Sequence, residues 1–116
     1  MSITERVEDG ITVFVPEGRL DTQAAVDMDQ ALQAAVSQGK HKMVVDMSEV
    51  QYISSAGLRA LAAVLVRNRE EGGDLKLAAL NERVTRVFRI IGFDQFFSIH
   101  DTLEAAVADF APSAAS

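Results

Sequence analysis

The apolar positions of this chain change their spacing several times, and each change marks a new strand or helix. Residues 3–7 alternate as a strand does, residues 11–15 form a second predicted strand, and Glu8-Asp9-Gly10 between them is a hairpin turn signal. Pro16 is expected to stop regular pairing and to need a sheet edge, a bulge or a strand end, because proline has no backbone N–H to donate. Three later apolar runs predict short strands, at residues 43–45, 75–79 and 96–99.

Between these strands, apolar residues recur three and four positions apart, which is the spacing of a helix with one buried face. Four helices are predicted: from Thr22 to Ser37, from the Ser54-Ser55 pair to about Glu70, from Asn81 to Gly92, and from the Asp101-Thr102 pair to about Phe110. Asp, Ser, Asn and Thr at the starts of these segments are the usual capping residues.

The resulting order, ββαβαβαβα, predicts a single α/β domain with a mixed, mostly parallel β-sheet flanked by helices. The domain is expected to occupy residues 1–110, followed by a disordered tail at 111–116 that contains Pro112 and small residues. In sheets of this kind, sites collect where strands end and helices begin.

The segment from Met43 to Leu65 places a pair of serines at such a point. A buried strand ends at Asp46, and Ser54-Ser55 opens a helix whose apolar residues fall at 58, 61, 62 and 65. A serine here can cap the free N–H groups of the first turn, and negative charge there is stabilised by the helix dipole. From residue type alone, an ordinary capping pair is the simplest interpretation.

The phrase around these serines, Val50-x-Tyr-Ile-Ser-Ser-Ala-Gly-Leu-x-x-Leu61, resembles the signature of the STAS domain, a family named for sulfate transporters and anti-sigma factor antagonists. Gly18-Arg-Leu-Asp21 is similar to a second phrase of the family. Aligned through Gly57 and Leu58, the phosphate-accepting serine of the family falls on Ser55. The family's aspartate falls on Ser54, and this departure leaves open whether phosphorylation is lost or moves to Ser54.

The resemblance implies an anti-sigma factor antagonist, which is a binding switch and not an enzyme. Unphosphorylated, it would bind an anti-sigma factor that is also a serine kinase and so release the sigma factor. Phosphorylation of Ser55, with Ser54 as second choice, would end binding, and a serine phosphatase would restore it. The expected partner-binding residues are Asp21, Thr22, Ser54, Ser55, Ala56, Gly57 and Arg59. Nucleotide would belong to the kinase, so no cofactor is expected.

Two alternatives remain open. A STAS module without the family aspartate could be a scaffold that phosphate does not regulate. A receiver-like domain phosphorylated on Asp46 would need an acidic pair after its first strand and a lysine past the end of a late strand. Glu8-Asp9 instead lies in a tight hairpin and Lys76 lies within a strand, which favours Asp46 as a polar strand end.

Composition and charge argue against several classes of function. The net charge of −6 argues against nucleic acid as a partner, and the absence of cysteine excludes thiolate metal sites. His41 and His100 are the only candidate imidazole bases, and Ser55 lacks the Gly-x-Ser-x-Gly context of a serine hydrolase. No apolar run approaches the roughly 20 residues of a membrane helix. We therefore expect a cytoplasmic monomer or weak homodimer that contacts no membrane.

Overall fold

Six strands and four helices make up the structure, a computed structural model that describes residues 2–111. The strands are β1 (Ser2–Glu8), β2 (Ile11–Leu20), β3 (Lys42–Asp46), β4 (Val50–Ile53), β5 (Asp74–Ala78) and β6 (Ser98–His100). The helices are α1 (Thr22–Ser37), α2 (Ser55–Glu70), α3 (Glu82–Ile91) and α4 (Leu103–Ala108), with a 3-10 turn at Phe93–Gln95.

The strands form one mixed sheet in the order β1-β2-β3-β5-β6, with β4 beside the last residues of β2. Only β1 runs antiparallel to its neighbour, and every other pairing is parallel. The predicted fold class, a mixed and mostly parallel sheet flanked by helices, is confirmed.

Alternating residues of the central strands divide the core between the two faces of the sheet. On β3, Val45 packs with the helices α1, α2 and α3, whereas its neighbour Val44 packs with α4. Successive side chains of a strand point to opposite faces, so a continuous apolar run such as Met43–Val45 indicates burial on both sides. Met43, Val44 and Val45 are fully buried, so both faces of β3 are covered at its centre.

Three details of the predicted elements were wrong. The predicted order omits β4, whose four residues are held by pairing with β2 rather than by a pattern of their own. Strand β2 does not end at Val15 but continues to Leu20. Pro16 lies between Phe14 and Gly18, where only β1 pairs with β2, which agrees with the edge position expected for proline. The last strand begins at Ser98, because Phe93–Gln95 forms the 3-10 turn.

The C-terminal part of the chain is predicted to contain a last helix, a disordered tail and a buried run of aromatic residues. Helix α4 ends at Ala108, two residues before the predicted end. Apart from Ala111, the tail predicted to be disordered lies outside the described residues. The sequence predicts that Phe93, Phe96 and Phe97 pack in the core under the last helix. Phe97 is buried, but its ring packs against Phe88 of α3, with ring centres 5.8 Å apart, and Phe96 is 38% exposed.

Candidate functional site

The ends of β2 and β4 join the two phrases that the sequence analysis singled out. Leu20 and Ile53 are paired across the two strands, and the backbone N–H of Ser54 donates to the carbonyl of Leu20 at 2.8 Å. One residue further along each strand lies the N-cap of the next helix, Asp21 for α1 and Ser54 for α2. We call this edge, formed by Asp21, Thr22, Ser54 and Ser55, the rim.

Ser54 is the N-cap of α2. Its backbone is extended, and its Oγ accepts a hydrogen bond from the N–H of Gly57 at 3.2 Å. Its carbonyl accepts from the N–H of Leu58 at 3.0 Å, which begins the helical hydrogen bonding. The half-buried Ser54 side chain is therefore engaged in holding the start of the helix.

Ser55 occupies the first position of α2 and is exposed. The backbone N–H groups of a first helical turn have no partners within the helix, and they favour a negative group placed beside them. No acidic side chain lies in this turn of α2. Ser55 is thus the serine of the pair that is open to a partner, and its position suits a bound phosphate.

Asp21 plays the same capping part for α1. Its Oδ1 accepts from the N–H of Ala24 at 2.9 Å, so the predicted capping function is confirmed. The carboxylate is also exposed on the rim. A capping role and a contact with a partner are therefore compatible, and the partner contact stays a prediction.

Gly57 supports the site through packing. It is buried where α2 approaches the strand ends, and a Cβ placed on it would lie 2.8 Å from Cγ1 of Ile53. That distance is too short for two carbon atoms, so a larger residue would push the first turn of α2 away from β4. Gly57 therefore sets the position of the neighbouring serines.

A groove of about 390 Å³ runs between α1 and α2, next to the rim. Three of the predicted partner-binding residues line it, namely Thr22, Ala56 and Arg59. Four of the other wall residues are small and apolar, namely Ala25, Val26, Ala60 and Ala63, and two are polar, Asp29 and Gln30. The rim and the groove together form a continuous surface that includes exposed polar and apolar groups.

Asp46, the residue of the receiver-like alternative, ends β3 as a turn residue. Its Oδ1 accepts from the N–H of Ser48 at 3.0 Å. The lysine that a receiver would need is engaged elsewhere, since the Nζ of Lys76 lies 2.8 Å from the Asp109 carboxylate and 3.3 Å from that of Asp74. These contacts favour the polar strand end over a phosphorylated receiver aspartate.

A polar cluster around Lys76 was not found from the sequence. It joins β5, β6 and α4: Nε2 of His100 lies 3.2 Å from Oδ2 of Asp109 and 3.0 Å from Oγ of Ser98. One ring nitrogen makes both contacts, whereas a catalytic triad uses opposite nitrogens for the serine and the carboxylate. The cluster therefore has the geometry of a structural link, not of a nucleophile with its base.

We expect this cluster to stabilise the fold at neutral pH and to lose that contribution in acid. The hydrogen bond from Lys76 holds the pKa of the Asp109 carboxyl below its ordinary value of 3.8. Because the folded pKa is the lower one, the stabilisation is present above 3.8 and is lost as the pH falls through the folded pKa. Since Asp109 is 45% exposed, the contribution is no more than about 1 kcal/mol. Urea unfolding between pH 6 and 2.5 should show a shallower acid loss for Asp109→Asn than for wild type.

Asp101→Asn is the control for this measurement, because Asp101 is exposed and outside the cluster. Equal acid losses for wild type and Asp109→Asn would show that the link contributes nothing to folding.

Comparison with known proteins identifies the family of this chain. The model of the STAS domain family matches residues 2–106. This chain belongs to the STAS domain family. BtrV of Bordetella bronchiseptica, named as a candidate anti-sigma factor antagonist, is 34% identical over 95% of both chains. The anti-sigma-B factor antagonist of Listeria monocytogenes is 33% identical over 85% of this chain and 86% of its own.

A solved structure shows the same fold over nearly the whole length. The anti-sigma factor antagonist from Mycobacterium paratuberculosis superposes with a TM-score of 0.85, at 28% identity, covering 93% of this chain and 92% of its own. These relatives are named as anti-sigma factor antagonists, which are regulatory proteins and not enzymes, in agreement with the sequence analysis. Within residues 2–111, no helix is long and apolar enough to cross a membrane.

Proposed function

We propose that this protein is an anti-sigma factor antagonist that binds its anti-sigma factor through the rim and is switched off by a phosphate on Ser55. The observation that carries the proposal is the difference in position and hydrogen bonding between the two serines. Ser54 caps α2 through its Oγ, whereas Ser55 is exposed at the first helical position. The STAS relatives named as antagonists supply the class of partner.

The geometry favours Ser55 over Ser54 as the acceptor. A phosphate on Ser54 would be attached to the Oγ that accepts from Gly57 N–H, in a half-buried position. A phosphate on Ser55 would extend into solvent beside the first turn of α2, without breaking that cap. The serine in the place of the family aspartate thus keeps a structural role in this chain.

Phosphate would act on docking rather than on the fold. It adds about −1.5 to −2 charges to a small surface, while the helix N-terminus stabilises that charge within the protein itself. A partner pressed against the rim would have to desolvate the phosphate or face its charge. We propose that an anti-sigma factor with serine kinase activity adds the phosphate, and that a serine phosphatase removes it in the cytoplasm.

The test is intact mass after incubation with ATP and each anti-sigma kinase of the source cell, followed by mapping of the modified residue. We expect one phosphate, on Ser55, that is lost in Ser55→Ala and kept in Ser54→Ala. A stable complex without any phosphate would indicate the alternative, an antagonist or scaffold that phosphate does not regulate. Neither phosphate nor complex with any of these kinases would refute the proposed function.

A further inference from the structure

We propose that Arg59 is the internal counter-ion of the phosphate on Ser55, and that it leaves the groove between α1 and α2 when the phosphate is added. This inference rests on the proposed function, in which Ser55 is the acceptor. Through Arg59, a charge added at the rim would change the neighbouring groove.

The spacing of Ser55 and Arg59 along α2 allows their side chains to meet. Ser55 and Arg59 are four residues apart on α2, and both are exposed. Residues at this spacing lie on one helix face with Cβ atoms about 5–6 Å apart, and an anion placed before a cation is the favourable order. A guanidinium can also form two parallel hydrogen bonds with a phosphate. Arg59 is the only charged residue between positions 55 and 66, so no neighbour on this stretch of the helix competes for it.

The rim already carries a negative charge, that of Asp21. The hydrogen bond between Ser54 and Leu20 brings the next residues, Ser55 and Asp21, to the same edge. The Asp21 carboxylate is exposed there and is held by its capping bond to Ala24. A phosphate on Ser55 would thus be added near a fixed negative charge, and a nearby cation would offset the repulsion.

The nearest other basic residue along these strands is already engaged. The guanidinium of Arg19 lies over the ring of Tyr52, 4.4 Å from its centre, across the pairing of β2 with β4. Moving it to a phosphate would give up that cation–π contact. Arg59 makes no such contact with an aromatic ring among the described residues.

Pairing of Arg59 with the phosphate on Ser55 would also change the charge of the groove between α1 and α2. Arg59 lines the groove together with Thr22 and Ala56, and Asp29 is the other charged residue of its wall. When Arg59 turns toward Ser55, the groove loses its cation and keeps the Asp29 carboxylate. Phosphorylation would therefore alter two parts of the docking surface: the rim by adding negative charge, and the groove by withdrawing positive charge.

The experiment is a phosphorus NMR titration of the full chain carrying genetically encoded phosphoserine at position 55. A nearby cation favours the dianion, so we expect the second pKa of the phosphate to be higher in Arg59→Gln than in wild type. At a fixed pH near that pKa, the ratio of dianion to monoanion should fall about twofold, as expected for one exposed pair at this spacing. Arg59→Lys should restore most of the difference, since it keeps the charge.

Arg67→Gln is the matched control. It makes the same charge change on the same helix, but twelve residues from Ser55, or about 18 Å along the axis. Identical titrations of wild type and Arg59→Gln would overturn the inference, as would an equal shift in Arg67→Gln. Because the phosphoserine is installed during translation, this result does not depend on any kinase. A failure of the kinase assay would instead refute the proposed function and leave the titration unchanged.

Discussion

A phosphate on Ser55 is expected to lower the affinity of this protein for its anti-sigma factor by about a hundredfold or more. Ser55 is exposed at the start of α2, next to Asp21 and the groove, so a bound partner would cover the added charge. The phosphate carries about −1.5 to −2 charges, so net negative charge remains even when Arg59 pairs with it. Burying that charge in an interface costs several kcal/mol, and each 1.4 kcal/mol is about a factor of ten in the dissociation constant. Isothermal titration calorimetry with phosphorylated and unphosphorylated protein measures the difference.

Two variants separate the effect of the phosphate from the effect of the helix start. Ser55→Ala should bind the anti-sigma factor with and without prior exposure to ATP. Ser54→Ala loses the cap on Gly57 N–H, which costs about 0.5–2 kcal/mol of folding stability, but it should still respond to phosphate on Ser55. Equal affinities of the phosphorylated and unphosphorylated forms would contradict the switch.

Phe88→Ala is expected to lower the free energy of unfolding by about 3–5 kcal/mol, because it removes a large side chain from a closely packed core. Phe88 is fully buried on α3, and its ring contacts those of Phe93 and Phe97 edge-on, with ring centres 6.2 and 5.8 Å apart. These contacts hold α3 and the turn after it against the sheet. Urea unfolding followed by circular dichroism measures the loss.

Ile90→Ala is the matched control on the same helix. Its side chain is 76% exposed, so truncation should change the stability by no more than about 0.5 kcal/mol. A loss for Phe88→Ala no larger than that for Ile90→Ala would show that the aromatic cluster does not hold α3 in place.

The helix starts could be predicted from the sequence because capping is a local interaction. Asp21, Ser54, Asn81 and Thr102 each accept a hydrogen bond from the backbone N–H three residues later. Such a bond joins groups within one turn, so the residue type and the apolar spacing that follows it are enough to indicate the start. The alternation of strands and helices, and with it the fold class, follows from equally local patterns.

Strand β4 and the Lys76 cluster could not be predicted in the same way. Val50–Ile53 is too short to show a clear period, and its pairing partner on β2 lies about thirty residues earlier in the chain. Lys76 and Asp109 are 33 residues apart, and neither has a neighbour in sequence that indicates the other. Interactions of this kind depend on how the whole chain is packed.

The sequence by itself determined the fold class, the helix caps and the serine pair at the start of a helix, because each depends on residues within about one turn of one another. The phrase around Ser55 also indicated the STAS family. Only the tertiary structure decided that Leu20 and Ser54 are hydrogen-bonded, that Ser55 rather than Ser54 is the exposed serine, and that Arg59 lines a groove against α1. These features arise where separate elements meet, and the free energy that holds them comes from contacts between residues far apart in the chain.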